Sequence, residues 1–171
     1  DTTYRTYKSI EDISIIKPPK ITSDDTTYLS IGTAKGLKSL LFVDMDGWTL
    51  PARGIIRSAE LILNSIDSDT ASGLSINAYP LTSDAVFSNF LFHDEDPFLV
   101  DVTLMASSVM ENNILKINLR NASTEIANGK KKNQGFKILS NSSNDPFKVI
   151  SFYGLDNSIY YPAMRVIYVY P

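Results

Sequence analysis

The sequence predicts an all-β protein, a single β-sandwich of jelly-roll type with one or two short helices. Three observations carry that reading. Short apolar segments recur at intervals of roughly 8–15 residues, as in sandwich strands. Gly, Asn, Asp, Ser and Pro, the residues that make turns, fill the gaps. Within the clearest segments apolar and polar residues alternate, the two-residue period of a strand with one wet face.

The elements follow in order. Glu11 to Lys17 carries Ile13, Ile15 and Ile16 and stops at Pro18-Pro19. Thr26 to Ile31 stops at Gly32, and Leu37 to Asp44 is the most apolar segment, a buried strand. Arg57 to Ile66 puts Ala59, Leu61 and Leu63 on one side and Ser58, Glu60 and Asn64 on the other, with Ile62 breaking the pattern. Further strands are expected at Leu74 to Tyr79, Val86 to Phe92 and Phe98 to Val102. Asn113 to Leu119 sets Leu115, Ile117 and Leu119 against Ile114, Lys116 and Asn118, and Phe136 to Leu139, Phe147 to Tyr153 and Met164 to Tyr170 complete the set. Asn121 to Asn128 reads as a short helix, with Asn121 or Ser123 as its cap and Gly129 at the C′ position. Leu104 to Met110 reads as one or two further helical turns.

With 171 residues the chain is one domain. Residues 1–10 read as an arm or linker remnant, and residues 11–171 as the sandwich. A chain of this length buries roughly 70% of its unfolded surface, so its core needs no staple. The absence of cysteine excludes disulfides and thiolate zinc sites. Sixteen basic and nineteen acidic side chains leave a formal charge of −3, which gives no general attraction to nucleic acid or anionic membrane. The longest apolar runs, such as Leu40-Leu41-Phe42-Val43, are too short for a transmembrane segment. Starting at Asp1 rather than methionine, the chain reads as a mature form or an excised piece.

Catalytic chemistry has little to stand on, and the expectation is a protein that is not an enzyme. His93 is the sole histidine, in the polar stretch His93-Asp94-Glu95-Asp96-Pro97. That stretch reads either as a solvated acidic turn or as a calcium site with Asp94 and Asp96 as oxygen ligands. Asp44-Met45-Asp46-Gly47 resembles the start of a calcium loop, but Ile55 stands where the closing glutamate belongs, and a turn explains it better. Glycoside hydrolysis needs two carboxyls roughly 5–10 Å apart, and the sequence assigns no partner to Glu60, Glu111 or Glu125.

Binding has more support. Lys130-Lys131-Lys132 is the densest charge run, either a solvated loop beside a helix end or an attraction for an anionic polymer. Lys116, Lys137 and Arg165 each lie on a predicted strand, opposite in phase to the core positions. If their strands share a sheet, they form a basic stripe on its exposed face. Tyr153, Tyr160, Tyr161, Tyr168 and Tyr170 crowd the C-terminal part. Tyrosine faces stack on the C–H faces of sugar rings while their hydroxyls find polar partners, although such residues also fill cores and rims. Lys116, Lys137, Arg165 and Tyr153 are the candidate ligand-binding residues.

Several segments in order resemble the DNRLRE family and related alginate-binding carbohydrate modules. They are Asp12-Ile13-Ser14-Ile15, Pro18-Pro19, Tyr28 to Gly32, Lys38 to Asp44, Leu50-Pro51 and Ile56 to Leu63, similar to that family's I-x-S-A-x-L-x-L strand. Asp101-Val102-Thr103, Asn133-Gln134-Gly135-Phe136 and Pro162 to Tyr168 follow. The chain departs from the family at Phe42-Val43-Asp44, where members carry Arg-Phe-Asp, and lacks the usual tryptophan near Asp-Val-Thr. The resemblance implies a jelly-roll module on a secreted or cell-surface protein. Its partner would be a polysaccharide with acidic groups, or other surface-protein domains that it spaces and supports, with calcium as a possible structural ion.

Overall fold

The computed structural model describes residues 27–32, 38–45, 50–51, 53–66, 75–83, 98–142 and 149–170. The fold is all-β, with two antiparallel sheets sharing one core. β1 (Tyr28–Gly32) pairs β8 (Val149–Tyr153) as a two-stranded sheet. The large, curled sheet runs β2 (Ser39–Leu41), β7 (Phe136–Ser142), β4 (Ser75–Pro80), β5 (Ala106–Glu111), β6 (Ile114–Asn118), β3 (Ile55–Asn64), β9 (Ala163–Val169). Among the described residues one α-helix, α1 (Arg120–Ala127), packs beside β3.

The period of two decides what enters the core. On β3, Ala59, Leu61 and Leu63 are buried while Ser58, Glu60, Ile62 and Asn64 are half-exposed. A bulge at Arg57 adds one residue opposite β9, so Ile56 also faces inward, three positions before Ala59. Leu115 and Ile117 of β6, Ile138 of β7 and Ile31, Ile150 and Phe152 of the small sheet meet Leu61 and Leu63 in one cluster. The sheets join at a corner: beyond β3, Ser65 bridges Phe152, and the Ile66 amide donates to the Ser151 carbonyl at 3.0 Å.

The expected strands at Thr26–Ile31, Arg57–Ile66, Leu74–Tyr79, Asn113–Leu119, Phe136–Leu139, Phe147–Tyr153 and Met164–Tyr170 are present within a few residues, while the strand in Leu37–Asp44 narrows to three residues. The segments Glu11–Lys17 and Val86–Phe92 lie outside the described residues. Two expectations fail. Leu104 to Met110 is not helical: Ala106–Glu111 is β5. Its cause is the turn Asn112-Asn113, with φ of 48° and 66°, which closes a two-residue hairpin onto β6. Asparagine tolerates the left-handed region at both central positions, and such a turn matches the twist of paired strands. Phe98 to Val102 is not a strand either. Val100 makes a single bridge to Leu81, and Val102–Leu104 forms a 3-10 turn. Asp101 sets that turn, its Oδ1 accepting from the Thr103 amide (2.9 Å) and hydroxyl (2.5 Å).

Helix α1 begins at Arg120, one residue before the expected start, so Asn121 and Ser123 lie inside it and do not cap it. The Asn118 carboxamide oxygen accepts from the Arg120 amide instead, at 3.1 Å. Gly129, with φ of +68°, follows the helix as expected. Arg120 Nε donates to the Ile56 carbonyl and the Leu119 amide to the Ala59 carbonyl, tying the helix start to β3. This docking buries Ala122 and Ser123. The Ser123 hydroxyl has no hydrogen-bond partner.

A buried, unsatisfied hydroxyl costs roughly 1–3 kcal/mol, and alanine is the better helix former. Ser123→Ala is therefore expected to stabilise the protein by about 1 kcal/mol, read as a raised midpoint in urea unfolding followed by circular dichroism. At the start of β7, Gly135 has φ of +91°, and a Cβ there would stand 3.0 Å from the Leu41 carbonyl oxygen. Gly135→Ala is expected to lower stability by about 1–3 kcal/mol in the same measurement.

Candidate functional site: a lysine-rimmed cleft and a neutralised strand face

The strands carrying Lys116, Lys137 and Arg165 do share one sheet, since β6, β7 and β9 all belong to the large one. The three side chains do not make an exposed basic stripe. Two strands, β4 and β5, separate β7 from β6, and β3 separates β6 from β9. Lys137 is only 7% exposed, and its Nζ donates to the Phe98 carbonyl at 3.0 Å. Its phase is opposite to Phe136 and Ile138 as expected, but all three are buried, so both faces of β7 are covered there.

The other two cations lie on the outer face with carboxylates beside them. Lys116 pairs with Glu111 at 3.0 Å and Arg165 with Glu60 at 2.5 Å, the latter directly across from it on β3. That face is a mixed-charge surface in which attraction for a polyanion is largely cancelled. The same pairs give Glu60 and Glu111 their partners, and Glu125 pairs with Lys130. Each carboxylate singled out for hydrolytic chemistry is thus an ion-pair partner.

A concave site lies elsewhere. A cleft of about 260 Å³ opens between the end of β4, the 3-10 turn, α1 and the segment leading into β7. Leu81, Leu104, Ala122 and Ile126 supply its apolar lining, and Lys130, Lys131, Lys132, Gln134, Thr82 and Asp101 its polar groups. Local rules position each part. Gly129 reverses the chain after α1, and the Lys130 and Lys131 amides then donate to the Glu125 carbonyl at 2.9 and 3.2 Å, aiming the lysine run back over the helix. On the far side Asn133 Nδ2 donates to the Val43 carbonyl at 2.7 Å, and the Leu81 amide to the Gly135 carbonyl at 2.9 Å. Asp101 is held by its own amide, which donates to the Pro80 carbonyl at 2.9 Å.

The lysine rim carries carboxylates beside it. Lys131 Nζ meets Asp101 Oδ2 at 2.6 Å, and Lys130 Nζ meets Glu125 Oε1 at 3.3 Å. The hydrogen bond from Lys131 holds the Asp101 carboxyl down at about 2 from its ordinary 3.8; bonds from the Thr103 hydroxyl and amide add to this, against a smaller opposing effect of burial. The lysine run was visible in the sequence, but not the cleft. Its lining comes from segments that meet only after the sheet is ordered.

Tyr153 sits at the end of β8, half-buried, with its ring stacked on Tyr160 at 5.2 Å between centroids. His93, Asp94 and Asp96 lie outside the described residues, so the calcium reading has no geometry here. Among the described residues no three His, Asp or Glu side chains group to hold a metal ion, and no helix is long and apolar enough to cross a membrane.

No protein-family model and no curated protein matches this chain. Two segments singled out in the sequence have clear structural work. Asp101-Val102-Thr103 caps the 3-10 turn, and Asn133-Gln134-Gly135 ties the start of β7 to the chain after β2.

The Asp101 interactions have a pH consequence. In the unfolded chain this carboxyl returns to about 3.9. Its folded-state value is depressed, so its contribution is present in full above about pH 4 and lost as the pH falls toward 2. Between about pH 4 and pH 2 the thermal midpoint of the wild-type protein is expected to fall further than that of Asp101→Asn, measured by circular dichroism melts across that range.

Proposed function

We propose that this chain is a non-catalytic module of a secreted or cell-surface protein that binds an acidic polysaccharide, and that the cleft beside α1 takes the acidic sugar. The observation that carries this reading is the pairing of a lysine-rich rim with an apolar lining in one concavity. A uronic acid has the same division, a carboxylate on one edge and C–H groups on the ring face. Ligand pockets usually enclose roughly 300–1,000 Å³. At about 260 Å³ the cleft suits one sugar ring of a polymer that continues along the surface. The existing ion pairs do not oppose this. Exposed pairs are worth about 1 kcal/mol or less, so an incoming carboxylate exchanges with Glu125 at small cost.

The likeness to alginate-binding modules supports the same ligand class. A second reading, a structural or assembly module without a glycan ligand, is favoured by the exposed Ile167, Val169 and Tyr170 at β9 and just beyond it. Sedimentation distinguishes the two: reversible self-association without retention by any polymer is the outcome of the second.

Affinity electrophoresis against neutral, uronic-acid and sulfated polymers tests the proposal. Retardation by the acidic polymers is expected, fading at high salt as ionic attraction is screened. Lys131→Gln and Lys132→Gln are each expected to weaken it about two- to fivefold, the size of one exposed ion pair. Lys116→Gln is expected to leave it unchanged, because that side chain is not part of the cleft. Undiminished retardation of the Lys131→Gln/Lys132→Gln double variant would remove the cleft from consideration.

A further inference from the structure

We infer that the outer face of the β1–β8 sheet is a second, uncharged glycan subsite, a tyrosine strip on which sugar rings of the polymer stack. The inference rests on the polysaccharide reading above and adds a contact site of different chemistry.

Register places the strip. Tyr28 lies directly opposite Tyr153, and Ser30 opposite Ser151. Residues opposite one another in a sheet share a face, and those two apart along a strand share it too. The intervening pairs, Leu29 with Phe152 and Ile31 with Ile150, turn into the core. Tyr28, Tyr153, Ser30 and Ser151 therefore present one continuous outward face. Its serine hydroxyls lie 3.1 Å apart. Tyr160 extends the face by stacking on Tyr153 at 5.2 Å with 28° between ring planes.

The strip is preorganised. Asn157 Oδ1 accepts from the Tyr160 amide at 2.7 Å and from the Ile159 amide at 2.9 Å, and Asn64 Nδ2 donates to the Tyr160 carbonyl at 3.3 Å. The loop that carries Tyr160 is thus tied both to itself and to β3. Despite this anchoring the rings stay open to solvent, with Tyr28 53% and Tyr160 48% exposed. A contiguous exposed aromatic patch marks a contact surface.

The chemistry favours sugar over a protein partner. Every ring in the strip is a tyrosine, and the adjacent row is hydroxyl-bearing serine. A pyranose offers C–H groups to a ring face and hydroxyls to such neighbours. No charged side chain belongs to the strip, so its contribution to binding is insensitive to salt, unlike that of the lysine cleft. A protein partner would engage the exposed Leu155 and Ile159 of the same loop, which makes it a separable outcome.

The experiment compares the wild-type chain with Tyr28→Ala, Tyr160→Ala, Tyr160→Phe and Lys131→Gln/Lys132→Gln. Retardation is measured against alginate, polygalacturonate and hydroxyethylcellulose at about 20 and 500 mM NaCl, where screening lengths differ several-fold. Melting curves confirm that each variant is folded. The expected result is a salt-resistant component of binding that falls about tenfold in Tyr28→Ala and Tyr160→Ala and survives in Tyr160→Phe, because the ring face remains. The lysine variant is expected to lose the salt-sensitive component alone. Binding that vanishes entirely at high salt overturns the strip and leaves the cleft standing, as does high-salt binding untouched by both alanine variants. Loss in the tyrosine variants with none in the lysine variant overturns the cleft and keeps the strip. No retardation by any polymer overturns both. Self-association that Leu155→Ser and Ile159→Ser abolish, without sugar binding, assigns the face to protein contact and also overturns the strip.

Discussion

A two-stranded sheet is barely stable in water by itself, and this fold turns on how β1 and β8 escape that limit. Their inward residues, Ile31, Ile150 and Phe152, close over Leu61, Leu63, Leu115 and Ile117 of the large sheet. Neither layer has another way to remove those side chains from water. The join at Ser65 and Ile66 fixes how the layers meet, because the chain leaving β3 bonds directly to β8. The rest of the molecule is arranged around that closure. Helix α1 seals the flank of β3, and Lys137 of β7 is covered on the opposite face from Phe136 and Ile138, where it meets the Phe98 carbonyl.

Much of the layer pattern was legible in the residues. The alternation of Ala59, Leu61 and Leu63, and of Leu115, Ile117 and Leu119, is a direct record of which face is dry. Gly129 marked the end of the helix because few other residues accept its backbone conformation. The Asn112-Asn113 turn competes in the sequence with the apolar residues Leu104, Met105, Val109 and Met110, whose spacing also suits a helical turn. Strand pairing overrides such weak local preference.

The site was less legible, for a physical reason. A two-residue period says which side of a strand a side chain takes, but not what lies over that side. Lys137 had the phase of a surface residue and is buried, because a further layer of chain covers the sheet at that point. Lys116 and Arg165 had the right exposure, yet strand order put Glu111 and Glu60 beside them. Conversely, the Lys130–Lys132 run gained a concavity only because the Asp101 turn and the Asn133–Gly135 crossing stand opposite it. Charge is a property of the sequence; its neutralisation or exposure is a property of topology.

The pairing of β1 with β8 has a consequence for the order in which the molecule can be completed. Ser30 and Ser151, whose hydroxyls touch, are 121 positions apart in the chain. Closing so long a loop carries an entropic cost that only the assembled interior can offset. The β5–β6 hairpin, by contrast, closes across two residues. During synthesis the hairpin and the helix that follows it leave the ribosome before β8 exists. The face that Tyr28 and Tyr153 share therefore forms only after residues 149–153 have been made, later than the hairpin and the helix.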